Sequence, residues 1–375
     1  MRFADIIGNK VIAKTLSSMA DSGRVAHAML FYENDGCGAL PLALAYAQYL
    51  NCSNPTGGDS CGECPSCRQM SKLVHPDVHF VFPVNKGPKT SDDKPVSESY
   101  FKYWRELVQE NPYFLEGDLQ RAIGIESKNG LIAVAEAKAI ISKLSLSSVS
   151  DGYKVVIFYL PEKMNQETAN RLLKMVEEPP EKTVFLFITH APEKVLQTIF
   201  SRCQSVRVLP MTQDEVAATM SSQLGVDPET AGIKAAVAGG SVGVAMGMIG
   251  DREEYDSRMD MFAYLMRALV TRDLSAALEC AEQMAALDSR EKQKAFCIFA
   301  GDCIRKIFLV QQNLPQIAYI PEEEKEFYSA MAEKCRKGFC TKTMAEIEKV
   351  VAMIDRNVNS KILFCDLVNR MFLSV

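Results

Sequence analysis

The chain has 375 residues, 47% hydrophobic and 24% charged, an ordinary globular composition that excludes disordered, collagen-like and fibrous classes. It is too long for one typical core, so two or three domains are expected. The net charge of −5 argues against a protein that grips nucleic acid alone, but leaves room for a local basic face or a place in a larger assembly. No apolar run nears the roughly 20 residues that span a bilayer. Met1–Lys14 has no apolar signal core, so a reducing, cytoplasmic location is expected.

The first 210 residues alternate strand and helix patterns. Ala28–Tyr32 is a short apolar strand, followed by a turn around Gly36 and Gly38 and a helix over Leu40–Leu50. Pro83–Ser99 is rich in Lys, Pro, Ser and Asp and reads as a loop. Tyr100–Leu115 then gathers Tyr100, Phe101, Tyr103, Trp104, Tyr113 and Phe114, so residues 84–124 look like a helical insertion between sheet strands. Its aromatics suit either a partner surface or a helix packed on the sheet edge. Lys154–Leu160 is a nearly continuous apolar run, the pattern of a buried parallel strand. Glu167–Glu178 reads as a helix with Ala169, Leu172, Leu173 and Val176 on one face, stopped by Pro179 and Pro180. Val184–Ile188 is a further buried strand, and strand–helix–strand with short links predicts a right-handed βαβ unit and a parallel sheet.

After Pro210 the pattern changes. Met211–Gly250 is rich in small residues, with short helices. From Arg252 to Val375 the segments Met259–Val270, Leu274–Leu287, Lys292–Gln312, Glu322–Lys337 and Thr341–Arg356 are helical in pattern. The expected organisation is an α/β domain over 1–210, a small helical domain over 211–251 and an all-helical domain over 252–375.

Four of the twelve cysteines cluster: Cys52, Cys61, Cys64 and Cys67, spaced C-x8-C-x2-C-x2-C. Two-residue gaps let thiolates fold back onto one ion, and four sulfur ligands make a closed, structural zinc site without an open catalytic position. Gly57, Gly58, Gly62 and Pro65 supply the turns of this module, which covers about 52–70. Four reduced, unligated thiols are the plain alternative. The other eight cysteines read as small core residues.

The turn after the first strand lies where a phosphate-binding loop belongs. A working loop needs G-x4-G-K-[ST], to cradle phosphates, reach the γ-oxygens and hold Mg²⁺. Here Glu33 replaces the first glycine, Gly36 and Gly38 remain, Ala39 replaces the lysine and Leu40 the hydroxyl. The Lys154–Leu160 strand ends in Tyr159 and Leu160 where an ATPase carries acids. Both losses predict a retained architecture without hydrolysis.

The zinc spacing, the stretch Asn165–Pro180, the stretch Thr189–Cys203 and His75-Pro76-Asp77 resemble the bacterial clamp-loader subunits of DNA polymerase III, three-domain proteins of the AAA+ class. With its loop degenerate but Ser201-Arg202-Cys203 kept, the chain looks like the delta-prime branch of that family rather than the ATP-hydrolysing gamma/tau branch. Asn357–Leu367 resembles the end of the family's collar domain. The resemblance implies an AAA+-like domain, a lid and a collar. It also implies a non-catalytic stator in a hetero-pentamer with gamma/tau and delta subunits, which loads the sliding clamp on primer-template DNA. It assigns Arg202 as an arginine finger reaching in trans into a neighbour's ATP site, where a guanidinium stabilises transition-state charge. The alternative for Arg202 is a cation capping the end of its own helix. His190 and Val244 stand where active subunits place sensor residues, and His190 is expected to make a plain polar contact.

Two competing readings remain. One is a gamma/tau-like ATPase with an unorthodox site, for which Lys154 and Glu162 are the nearby substitutes. The other is a free-standing zinc-dependent nucleic-acid binder, disfavoured by the acidic balance and by the lack of aromatics interleaved with Lys and Arg around the cysteines.

Overall fold

Five short segments form one all-parallel sheet in the computed structural model: β1 (Ala28–Tyr32), β2 (Val78–Val81), β3 (Lys154–Tyr159), β4 (Thr183–Thr189) and β5 (Gln204–Arg207), in the order β2-β3-β4-β1-β5. The structure describes residues 1–126, 128–250, 252–318, 320–356 and 358–375. β3 and β4 are buried along their whole length, as their unbroken apolar runs require when both faces are covered. Leu160, expected to close the β3 strand, instead turns out of it with φ 58°.

Around the sheet lie α1 (Lys10–Asp21), α2 (Ala39–Leu50), α3 (Pro65–Ser71), α4 (Phe101–Glu110), α5 (Glu116–Ile123), α6 (Val134–Leu144), α7 (Gln166–Glu177) and α8 (Gln197–Phe200). α2 is apolar all round and almost wholly buried, so it can only be a core helix. α7 starts where the Asn165 side chain accepts the Thr168 N–H at 2.8 Å, and it buries Ala169, Leu172 and Val176. The architecture is thus a parallel α/β domain with a P-loop-like turn between β1 and α2.

The insertion packs on the β2 edge. Trp104 is fully buried and stacks on Phe82 with centroids 4.4 Å apart and planes 6° apart, and Phe114 meets it edge-on at 5.3 Å. Most of the aromatic content is therefore core. The helix stops at Glu110, so Tyr113 and Phe114 lie in the turn beyond it.

Three further helices follow: α9 (Gln213–Leu224), α10 (Pro228–Val237) and α11 (Val242–Gly250). α9 opens on a capping box between Thr212 and Glu215. The remainder is helical throughout: α12 (Arg252–Val270), α13 (Leu274–Ala285), α14 (Arg290–Gln311), α15 (Lys325–Lys334), α16 (Phe339–Asp355) and α17 (Ser360–Ser374). Its own core includes Phe262, Cys303, Tyr328 and Phe364. The chain divides into two compact units, Met1–Met246 and Gly247–Val375. The expected boundary at Asp251, and Asn357 at the start of the collar-like stretch, lie outside the described residues. Among the described residues no helix is long and apolar enough to cross a membrane.

Candidate functional site

Strand register decides what meets at the carboxyl ends of the sheet, where open parallel sheets hold ligands. Tyr32 pairs with Thr189, and Tyr159 pairs with Ile188. The residues just beyond, Glu33, His190 and Leu160–Glu162, are therefore forced together. The Glu33 N–H donates to the Thr189 carbonyl and the Leu160 N–H to the Ile188 carbonyl, which continues the ladder one step further on each side.

Glu33 is buried, and its carboxylate accepts the N–H of Ala39 at 2.7 Å. Ala39 is the first residue of α2, whose N-terminus carries unpaired N–H groups and partial positive charge. A phosphate bound in a working loop would lie at that helix end. Here the chain's own carboxylate does. His190 faces it: Nε2 is 3.6 Å from Glu33 and Nδ1 is 3.3 Å from Asp35. Two carboxylates this close to one ring favour its imidazolium form. Burial lowers the His190 pKa, but the Glu33 and Asp35 carboxylates raise it more, and the balance is about 8. Burial pushes the Glu33, Asp35 and Glu162 carboxyls upward as well. His190 thus makes a buried charged pair rather than a plain polar contact.

The substitutes an unorthodox ATPase would need are otherwise engaged. Glu162 accepts from the Thr189 hydroxyl at 2.8 Å and the His190 N–H at 3.3 Å. Lys154 sits at the opposite end of β3 and donates to the Leu144 and Leu146 carbonyls. Five further strand residues separate it from the carboxyl end, roughly 17 Å along the strand. Val244 lies in α11 with its N–H on the Ser241 hydroxyl, and as an aliphatic side chain it offers no charge to a phosphate.

Arg202 follows the short α8. Its guanidinium donates to the Thr198 carbonyl at 2.8 Å and to the Ser201 hydroxyl at 3.3 Å, and it forms an ion pair with Glu177 at the end of α7. About a third of the side chain is exposed.

The cysteine cluster is assembled from two pieces. Cys52 lies just past α2, and Cys61, Cys64 and Cys67 enter and open α3, with Pro65 as its first residue. Gly62 reaches φ 76°, which lets the chain double back between Cys61 and Cys64. The four sulfurs lie within 4.8 Å of one another, with Cys52–Cys61 at 3.5 Å and Cys61–Cys67 at 3.9 Å. Tetrahedral zinc–thiolate geometry sets sulfurs about 3.8 Å apart, so the donor set fits a zinc ion. Backbone N–H groups of Cys61, Cys64 and Cys67 point at the sulfurs of Cys52, Cys61 and Cys64 at 3.3–3.4 Å, which favours thiolates. Of the other eight cysteines, Cys37, Cys280, Cys297, Cys303, Cys335 and Cys340 are buried and Cys203 and Cys365 partly so.

Sequence reasoning flagged Glu33 and His190 separately and missed that they pair. The usable signal was their joint departure from the loop and sensor patterns at the ends of two adjacent strands. It also missed Tyr113, which is buried against the loop with its hydroxyl on the Ile7 N–H.

Residues 8–212 match the profile of the family described as DNA polymerase III, delta subunit. The chain belongs to that family. It is 32% identical over 190 residues to DNA polymerase III subunit delta' of Yersinia pestis, covering 51% of this chain and 44% of that one. It is 26% identical over 227 residues to the Escherichia coli subunit delta', covering 60% and 55%. Subunit gamma/tau of Mycobacterium tuberculosis is 28% identical over 227 residues, covering 60% and 32%. The chain thus spans about half the length of the relatives it matches. Among solved structures, a gamma subunit-related protein of Thermotoga maritima aligns over 96% of this chain and 99% of that one, with 17% identity and TM-score 0.40.

Two predictions come from this geometry. Protein purified without added metal should contain close to one zinc per chain, and Cys61→Ser with Cys64→Ser should lose it, both read by elemental analysis. Less than about a tenth of an equivalent in folded wild-type protein would refute the site, because four-thiolate structural sites hold zinc tightly. The second concerns pH. A His raised from 6.5 to about 8 contributes stability that is whole below pH 6.5 and lost as pH rises through 8. The carboxyls that burial raises act in the same direction, losing their contribution as pH rises. Melting temperature should therefore fall between pH 6.5 and about 8.5, and His190→Gln should flatten that slope.

Proposed function

We propose that this chain is a non-catalytic, stator-type subunit of a DNA polymerase III clamp loader. In this reading it joins gamma/tau and delta subunits in a hetero-pentamer that loads the sliding clamp on primer-template DNA in the cytoplasm. Residues 1–210 form the AAA+-like domain, 211–251 the lid and 252–375 the collar through which the subunits assemble. The zinc at Cys52, Cys61, Cys64 and Cys67 is structural.

One observation carries the non-catalytic assignment: the Glu33 carboxylate on the Ala39 N–H. It fills the helix end that a phosphate needs, and its charge repels one. The two substitutes the unorthodox-ATPase reading relies on, Lys154 and Glu162, are engaged with other groups.

The functional group of such a subunit is Arg202, acting in trans. In the free chain it is parked on Glu177 and Thr198. Releasing an exposed pair of this kind costs only about 0.2–1 kcal/mol, so a neighbour's γ-phosphate can draw the guanidinium away. A planar fork suits that task better than an ammonium.

The isolated chain should show no ATP turnover above background, and restoring Lys and Thr at positions 39 and 40 should not create any. Turnover abolished by a substitution in this chain would overturn the assignment. In a reconstituted loader, Arg202→Ala should leave assembly intact yet lower the DNA- and clamp-stimulated ATPase. The loss should be partial, because only the site facing this subunit loses its roughly 10³–10⁵-fold contribution. Arg202→Lys should rescue poorly. A helix-capping role alone would instead lower the melting temperature slightly, about 0.3–1 kcal/mol, with turnover unchanged.

A further inference from the structure

The insertion ends in a turn, Tyr113–Glu116, that presses on the remnant of the phosphate loop. The Tyr113 hydroxyl accepts the Ile7 N–H at 3.0 Å, so one end of the ring is tied to the N-terminal segment. The ring runs beside the loop: a methyl group placed on Gly38 would lie 3.1 Å from it and 3.3 Å from Met211. The Tyr113 carbonyl sits so close to Gly243 that a Cβ there would be 2.1 Å away. Tyr113 therefore touches three walls at once: the N-terminal segment, the loop and the small helical segment after Pro210. The ring thus fills the space beside the N-terminus of α2, between these three walls.

Two of these walls, the loop and the segment after Pro210, are also tied directly to each other. The Ser241 hydroxyl donates to the Asp35 carbonyl at 2.7 Å, and the Gly243 N–H donates to the Gly36 carbonyl at 3.2 Å. Gly36 and Gly243 meet backbone to backbone, with a Cβ on Gly36 only 3.0 Å from the Gly243 Cα. Gly36 also has φ 77°, so a side chain is excluded there twice over. No room remains between loop and α11 for a polyphosphate.

We propose that the chain carries its own nucleotide surrogate, with Glu33 in place of the phosphate and insertion-borne Tyr113 in place of the rest of the ligand, which together lock residues 211–246 onto the sheet. A working site needs bound nucleotide to join these parts; here covalently supplied side chains join them permanently. This gives the insertion its purpose and makes the closed state independent of nucleotide. The proposal rests on the site being non-hydrolysing, so its test reads binding and local opening rather than turnover.

Full-length protein is melted with and without a few millimolar inorganic pyrophosphate or Mg-ATP. Wild-type melting temperature should not move with either probe. Glu33→Gly/Tyr113→Ala should melt lower without ligand and recover by about 2 °C or more when a probe is added, still without hydrolysing ATP. A ligand-dependent rise in the wild type, or a folded double variant that ignores both probes, overturns the proposal. If the double variant does not fold, Tyr113→Phe removes only the hydroxyl. Hydrogen exchange at Ile7 and across 240–244 should then rise about five-fold or more while central β3 amides stay unchanged. Unchanged exchange at Ile7 and 240–244 would equally overturn it.

Discussion

A buried helix start must be given negative charge, and in this fold the requirement falls on Glu33. α2 is sunk in the core along nearly its whole length, so water cannot solvate its first N–H groups. A phosphate-binding loop meets this need with the phosphate itself. Here a carboxylate on the Ala39 N–H does it, and a buried carboxylate needs its own compensation. His190 provides it from the end of the neighbouring strand, shared with Asp35. Asp35 in turn accepts the Glu116 N–H at 3.2 Å, and that fixes the turn that carries Tyr113. The carboxylate at the loop's first position is thus linked through three side chains, Glu33, His190 and Asp35, to an insertion some 80 residues away.

The apolar signals read well because burial on both faces leaves a sequence no freedom. The runs AMLFY, KVVIFY and TVFLFIT are strands wherever they occur between short links, and α7 is written by its i, i+3, i+4, i+7 face. β2 and β5 were not legible. VHFV is only four residues long, and QSVR is an edge strand with mostly exposed residues, so neither shows a period. The all-helical character of the last 120 or so residues was plain, but their packing partners were not, since periodicity fixes a face and not what it meets.

The site was half legible. Missing chemistry shows in a sequence, because Ala39, Leu40, Tyr159 and Leu160 are of the wrong type for phosphate and Mg²⁺ whatever the structure. What took its place does not show. Glu33 with His190 is a contact between ends of two strands about 155 residues apart, set by register rather than by local pattern. Arg202 illustrates the opposite limit. Its motif suggests a partner's site, while its geometry in the free chain satisfies a helix end and Glu177. Both descriptions hold if the residue is shared between two states, and an exposed ion pair is weak enough to be shared.

The cysteine cluster has a place in the same scheme. Asp59, within the cysteine loop, accepts the N–H groups of Phe3 and Ala4 at 2.9 and 2.8 Å. Gln48 bridges the Ser60 hydroxyl and the chain's N-terminal ammonium. Residues 1–5 are therefore moored to the cysteine loop, and two residues later Ile7 holds the Tyr113 hydroxyl. A metal on the four sulfurs would stiffen a loop that has little apolar core of its own, and through Asp59 it would stiffen the wall against which Tyr113 rests. Far from any chemistry, the cysteines thus bear on the same closed pocket as Glu33.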